Sequence, residues 1–282
     1  MTTLTVKVDA FTARTEIDAN EIRLDKPHHV YNSLISTLRI PGVDAIGAKG
    51  LAEAAAKFIH SSGPQTGIEQ RREWLRCQIE CRPLAWLLSD PRLAEKPSLL
   101  RLLGAESGPI AQFRAAHAIK AQPRDWPAFS AGTQGDVASY LISGISKLAR
   151  RMGHNGLILL MDEMEKWQDL HWIAQSRAGN FLGGLIWSAS ARPGHRSCRN
   201  NIEDETGSRW GHSSFSCDHD SSLEHSGRCG GYPFTTNSLC HLGLAIALTP
   251  RGSEGPESIW QRYGTLNIAD LPTFDVEWDR SF

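Results

Sequence analysis

Apolar and polar positions along the 282 residues fall into short blocks of two periodicities. Residues 3–9 alternate in the strand manner, with Leu4, Val6 and Val8 on one face. A polar stretch, Thr12–Lys26, follows. Pro27 then opens a predicted helix carrying Val30, Tyr31, Leu34, Ile35 and Leu38 at helical spacing, and Pro41-Gly42 stops it. Residues 44–60 read as a second helix through Ala45, Leu51, Ala55 and Phe58, with Gly47 and Gly50 weakening its start. A third amphipathic stretch runs over 67–88, shorter helical pieces fill 97–121, and Gln122–Pro127 is a break. Residues 134–152 predict a helix with Val137, Tyr140, Leu141, Ile145 and Leu148 inward.

Three apolar runs then alternate with helical or irregular sequence. Leu157–Met161 is unbroken by any polar residue, which predicts a strand buried on both faces, as in a parallel sheet. Helical pattern returns over 163–180, and Gly184–Ala189 is a second strand candidate. The third, Leu242–Leu248, ends in Thr249-Pro250-Arg251. Between the last two, residues 191–233 are rich in Gly, Ser, His, Cys and charge, which predicts a long irregular loop. The tail holds Trp260, Tyr263, Leu266 and Ile268 before the polar stretch from Phe274 to Phe282. Strands alternating with helices predict an α/β fold with a large helical insertion, 41–130, in one domain spanning 1–282.

Composition narrows the class. Apolar residues make up 40% and charged residues 22%, the balance of a globular chain rather than a disordered one. A formal net charge of -1 gives no global signal for nucleic acid. No apolar run approaches the ~20 residues of a membrane span, and the first residues lack a signal-peptide pattern, so the cytoplasm is the default expectation. Six cysteines are too few for a disulfide scaffold.

The chemistry concentrates where Leu157–Met161 runs into Asp162 and Glu163. Acids at the carboxyl end of a buried parallel strand stand where α/β folds place ligands. In a Walker B strand the first acid, Asp162, would hold Mg²⁺ through water, and the second, Glu163, would polarise the attacking water. The plain structural alternative is a strand that ends in an Asp-Glu turn and caps the next helix. No stretch matches the phosphate-binding pattern G-x-x-x-x-G-K-[ST]. The nearest, Gly42–Gly50, has one residue too many before Lys49 and no hydroxyl after it, so 41–50 reads as a helix-to-helix linker.

Other clusters invite chemistry less directly. His195, Cys198, His212, Cys217, His219, His225, Cys229, Cys240 and His241 include zinc-ligand types, but their spacing lacks C-x-x-C, which favours a polar loop with incidental thiols. Cys77 and Cys81 are expected to share a buried helix face. Arg71, Arg72, Trp74, Arg76, Arg82 and Trp86 either touch nucleic acid or a partner, or are solvated arginines beside core tryptophans, the cheaper reading.

Gly156–Glu165, Ala178–Trp187 and Leu244–Pro250 leading to Ile259–Tyr263 together resemble the bacterial P-loop ATP-binding proteins associated with bacteriophage-exclusion (BREX) defence. Those proteins are similar to AAA-type and other additional-strand ATPases. Glu21–Asp25 through Tyr31 and Leu38 resembles the part that follows the family's P-loop helix. The resemblance implies a P-loop NTPase-like parallel sheet, incomplete at its N-terminus because the Gly-Lys-Ser/Thr loop would precede the strand at 4–8. It implies ATP and Mg²⁺ as cofactors, Asp162 as the Mg²⁺ residue and Glu163 as water activator. Thr249 falls at the sensor position, and Arg251 at that of a sensor or trans finger. The implied partners are other defence-system subunits and further copies of the chain; DNA contact belongs to an alternative expectation, a metal-stabilised nucleic-acid-binding module on 195–241, and the lack of a spanning run argues against a membrane partner.

Overall fold

A computed structural model describes residues 9–18, 20–65, 67–104, 134–171 and 241–247, scattered positions between 174 and 189, and three short strands between 214 and 233. Its centre is a three-stranded parallel sheet. β1 (Phe11–Glu16) and β6 (Leu242–Ile246) flank β2 (Leu157–Asp162), so spatial order follows chain order. The register pairs Phe11 with Leu157 and Glu16 with Asp162 on one side of β2. On the other it pairs Leu157 with Leu242 and Met161 with Ile246. β3 (Ser214–Phe215), β4 (Ser222–Glu224) and β5 (Tyr232–Pro233) form a separate antiparallel sheet.

One face of the parallel sheet is the core. Phe11, Ala13, Thr15, Leu157, Leu159, Met161 and Leu242 are buried there. The alternate residues point outward, and Leu160 is 44% exposed. Among the described residues β2 is covered on one face only, not on both as the all-apolar run leads one to expect. Its apolar outward positions, Ile158 and Leu160, made a half-exposed strand look like a doubly buried one.

Helices supply the cover. α1 (Pro27–Ser36) starts on Pro27, whose fixed φ and missing N–H suit a first turn, and buries Val30, Tyr31, Leu34 and Ile35. Thr15 Oγ1 donates to Ser33 Oγ at 2.9 Å, which lets a buried threonine of β1 meet α1 without an orphaned hydroxyl. The chain after α1 returns to β1's outer edge: Thr12 and Arg39 exchange backbone bonds of 3.0 and 2.8 Å, and Arg14 N–H donates to Thr37 Oγ1. That edge is thus closed. α2 (Gly47–Ser62) follows, so the linker expected over 41–50 is shorter, 41–46, and Gly47–Gly50 form the first turn of the helix. Gly50 is needed there, because a Cβ would lie 2.1 Å from Ala45 O.

Residues 67–88 form two helices rather than one: α3 (Ile68–Ile79) and α4 (Arg82–Leu88), broken at Glu80, whose φ of 50° is left-handed. α6 (Gln134–Arg151) holds the break: Tyr140 donates to Glu80 O at 3.2 Å, Arg151 Nε to Gln78 O at 3.0 Å, and Lys147 pairs with the Glu80 carboxylate. The break also separates the two cysteines. Cys81 is buried against Gly144 while Cys77 is exposed, so they do not share a buried face. α5 (Pro97–Leu103) is tied to α1 by Tyr31 Oη donating to Leu103 O and Asn32 Nδ2 to Gly104 O.

Two further expectations change. All of β1 after Phe11 falls in the stretch read as polar, because only Phe11 and Ala13 advertise its inward face and the third inward residue is a threonine. The expected strand 3–9 lies, apart from Asp9, outside the described residues. Of the expected strand Gly184–Ala189 only Leu185 and Ala189 are described, and both are helical; Leu185 continues the buried stripe of Ala178, Phe181 and Leu182. A short apolar run does not distinguish the two states, and here the 3.6-residue stripe decides. The pieces expected over 105–121, the break at 122–127 and the tail after 247 lie outside the described residues. No helix among the described residues is long and apolar enough to cross a membrane.

These contacts set three expectations. Gly156 has φ 122°, and a Cβ would stand 2.0 Å from His241 O, so Gly156→Ala should cost at least about 2 kcal/mol in urea unfolding. By the same measurement Leu159→Ala should cost about 2–5 kcal/mol and Leu160→Ala less than about 1 kcal/mol. Burial pushes the Cys81 thiol up to about 12, so peptide mapping after brief alkylation at neutral pH should find Cys77 modified and Cys81 untouched until the protein unfolds.

Candidate functional site

Asp162 and Glu163 stand at the carboxyl end of the sheet's middle strand. The backbone around them is held from both sides. Ile17 N–H donates to Asp162 O at 3.0 Å from the β1 side, and Ala247 N–H donates to Met161 O at 2.8 Å from the β6 side. Met164 N–H returns to Ala247 O at 3.3 Å, so the chain leaving β6 lies against the turn that carries the two acids.

That turn is tight. Glu163 takes a left-handed conformation, φ 59° and ψ 33°, between β2 and a 3₁₀ turn, Met164–Asp169. Such a conformation costs a residue with a Cβ roughly 1–2 kcal/mol. It is fixed by Glu163 N–H donating to Asp162 Oδ1 at 2.9 Å and by Lys166 N–H donating to Glu163 O at 3.2 Å. The same lysine reaches back with its side chain, Nζ lying 3.1 Å from Glu163 Oε2.

The end of β1 adds negative charge. Glu16 is the register partner of Asp162, and Asp18 lies two residues on. Arg14 lies 3.7 Å from Glu16, and Lys166 is the cation at the Glu163 end of this rim. Its ammonium is held above its ordinary pKa, first by the hydrogen bond to Glu163, then by the charges of Glu163, Asp18 and Glu16. The Asp18 carboxyl is held below its ordinary value by the backbone N–H groups of Asn20 and Glu21. Sequence reading missed Lys166, Glu16 and Asp18. The spacing of Glu163 and Lys166 was a readable signal; Glu16 and Asp18 become visible only once β1 is placed at 11–16.

The donor set can be weighed against Mg²⁺. Among the described residues, no three His, Cys, Asp or Glu side chains gather closely enough to hold an ion unaided. Mg²⁺ that keeps several waters and takes phosphate ligands needs only one or two carboxylates. Asp162 suits that role: its side chain is exposed, and among the described residues its carboxylate accepts one hydrogen bond, at Oδ1. Glu163 is engaged by Lys166 instead.

Thr249 and Arg251 lie outside the described residues, two and four positions beyond Ala247. Of the nine His and Cys residues over 195–241, only His241 is described. It sits at the amino-terminal end of β6, opposite the acids, where its carbonyl accepts from Leu157 N–H. Burial, then the nearby Arg150 charge, holds its imidazole below the ordinary pKa. Over 71–86 the described residues fit the plain reading in part: Arg76 is exposed, Arg72 is half-buried, and the Arg82 side chain lies outside those described. Trp74 packs on Phe58 and Trp86 is buried under Arg72, while Arg72 and Arg76 pair with Glu69 and Glu73. Arg71 bonds the carbonyls of Pro64 and Gln65.

Comparisons of the chain with protein-family models, curated proteins and solved structures find no match.

The strained turn makes a direct prediction. Glu163→Gly should unfold within about 0.5 kcal/mol of the wild type, because relief at positive φ offsets the added freedom of the unfolded chain, whereas Glu163→Val should lose about 1 kcal/mol or more. Paired chemical-denaturation curves check this.

Proposed function

We propose that the chain is the Walker B half of an ATP-binding or ATP-hydrolysing subunit with a P-loop NTPase-like sheet. The observation that carries the reading is the placement of adjacent acids at the carboxyl end of a parallel strand with a second parallel strand beside it. The segment leaving that second strand touches the acidic turn, and two residues further on it reaches Thr249, the expected sensor.

In this reading Asp162 would hold hydrated Mg²⁺, and the ion would neutralise phosphate charge. Glu163 would orient the attacking water and accept its proton, for which its carboxylate has to leave Lys166. Arg251 would contact phosphate in its own or a neighbouring copy. The grip on triphosphate has to come from elsewhere, since the 282 residues hold no G-x-x-x-x-G-K-[ST] loop. Thr37–Arg39 lies along the outer edge of β1, so a strand bearing such a loop would join this sheet beside β6. A bacteriophage-exclusion setting, with other defence subunits and further copies of the chain as partners, is proposed on the sequence resemblance alone.

One observation favours a second reading, a non-catalytic scaffold on the same sheet: the proposed catalytic carboxylate is already neutralised by Lys166, in a chain without a phosphate loop. The two readings separate on nucleotide. The first predicts weak MgATP binding by the wild-type chain, with Kd on the order of 1 mM, accompanied by slow hydrolysis. Asp162→Ala should weaken binding about tenfold, and Glu163→Gln should keep binding while losing turnover about 100-fold. Titration followed by ³¹P NMR and a phosphate-release assay read both quantities. Absence of binding at about 10 mM MgATP, or unchanged turnover in Glu163→Gln, overturns the hydrolase reading.

A further inference from the structure

We draw no further inference here: the strongest candidate, the outward face of the parallel sheet around Ile158, Leu160 and Ala245, carries nothing because nothing in the structure shows what covers it.

Discussion

The backbone ladder on both sides of β2 is the constraint on which the remaining structure depends. Because β1 and β6 pair with it in parallel, all three carboxyl ends stand at one edge. The chain has to cross back outside the sheet between successive strands, since parallel partners cannot be joined by a tight turn. The helices that occupy those returns bury Leu157, Leu159 and Met161 on one face. The opposite face carries Arg14, Ile158, Leu160 and Ala245, with Leu160 44% exposed. Without that register, Asp162 and Glu163 would be two acids in a turn; with it they stand between two strand ends.

Electrostatics at that edge follows from the same arrangement. Glu16 and Asp162 are paired by register and Asp18 follows the end of β1, so three acidic residues stand along one edge of the sheet beside Glu163. Arg14 pairs with Glu16 at 3.7 Å, and the short 3₁₀ turn brings the ammonium of Lys166 back onto Glu163. A solvent-exposed ion pair of this sort stabilises little. Its importance is chemical: it sets what a cation or a water molecule would have to displace to reach the Glu163 carboxylate. The left-handed backbone at Glu163 is held by the bonds to Asp162 and Lys166, so the acid pair, the strain and the lysine form one unit.

Much of this was legible from residue pattern, and the failures have particular causes. α1, α2, α6, β2 and β6 carry long or undiluted periodicity, and they lie close to where the pattern puts them. β1 was hidden because two of its six residues are charged and the buried Thr15 is satisfied by Ser33, a partner that exists only after folding. The α3–α4 break was hidden because Glu80 is no helix breaker; its left-handed backbone is held by Tyr140 and Lys147 from sixty or more residues away. The location of Asp162 and Glu163 at a strand's carboxyl end could be read directly, since an apolar run meets two acids there. Their surroundings could not, because Glu16, Asp18 and Ala247 arrive through strand register. Thr249 and Arg251 lie beyond the described residues, so their placement rests on the sequence.

Cross-linking tests the register itself. Arg14 and Leu160 are register partners exposed on the outward face, as are Leu160 and Ala245. Neighbouring strands hold such Cα atoms about 5 Å apart, within the span of a disulfide. Arg14→Cys with Leu160→Cys, and Leu160→Cys with Ala245→Cys, should each form an intramolecular disulfide on mild oxidation, identified by peptide mapping of the folded protein. Arg14→Cys with Leu159→Cys should not, because residue 159 points into the core. Failure of both matched pairs, or equal reaction of the mismatched one, would contradict the parallel sheet and the placement of Asp162 and Glu163 at its edge.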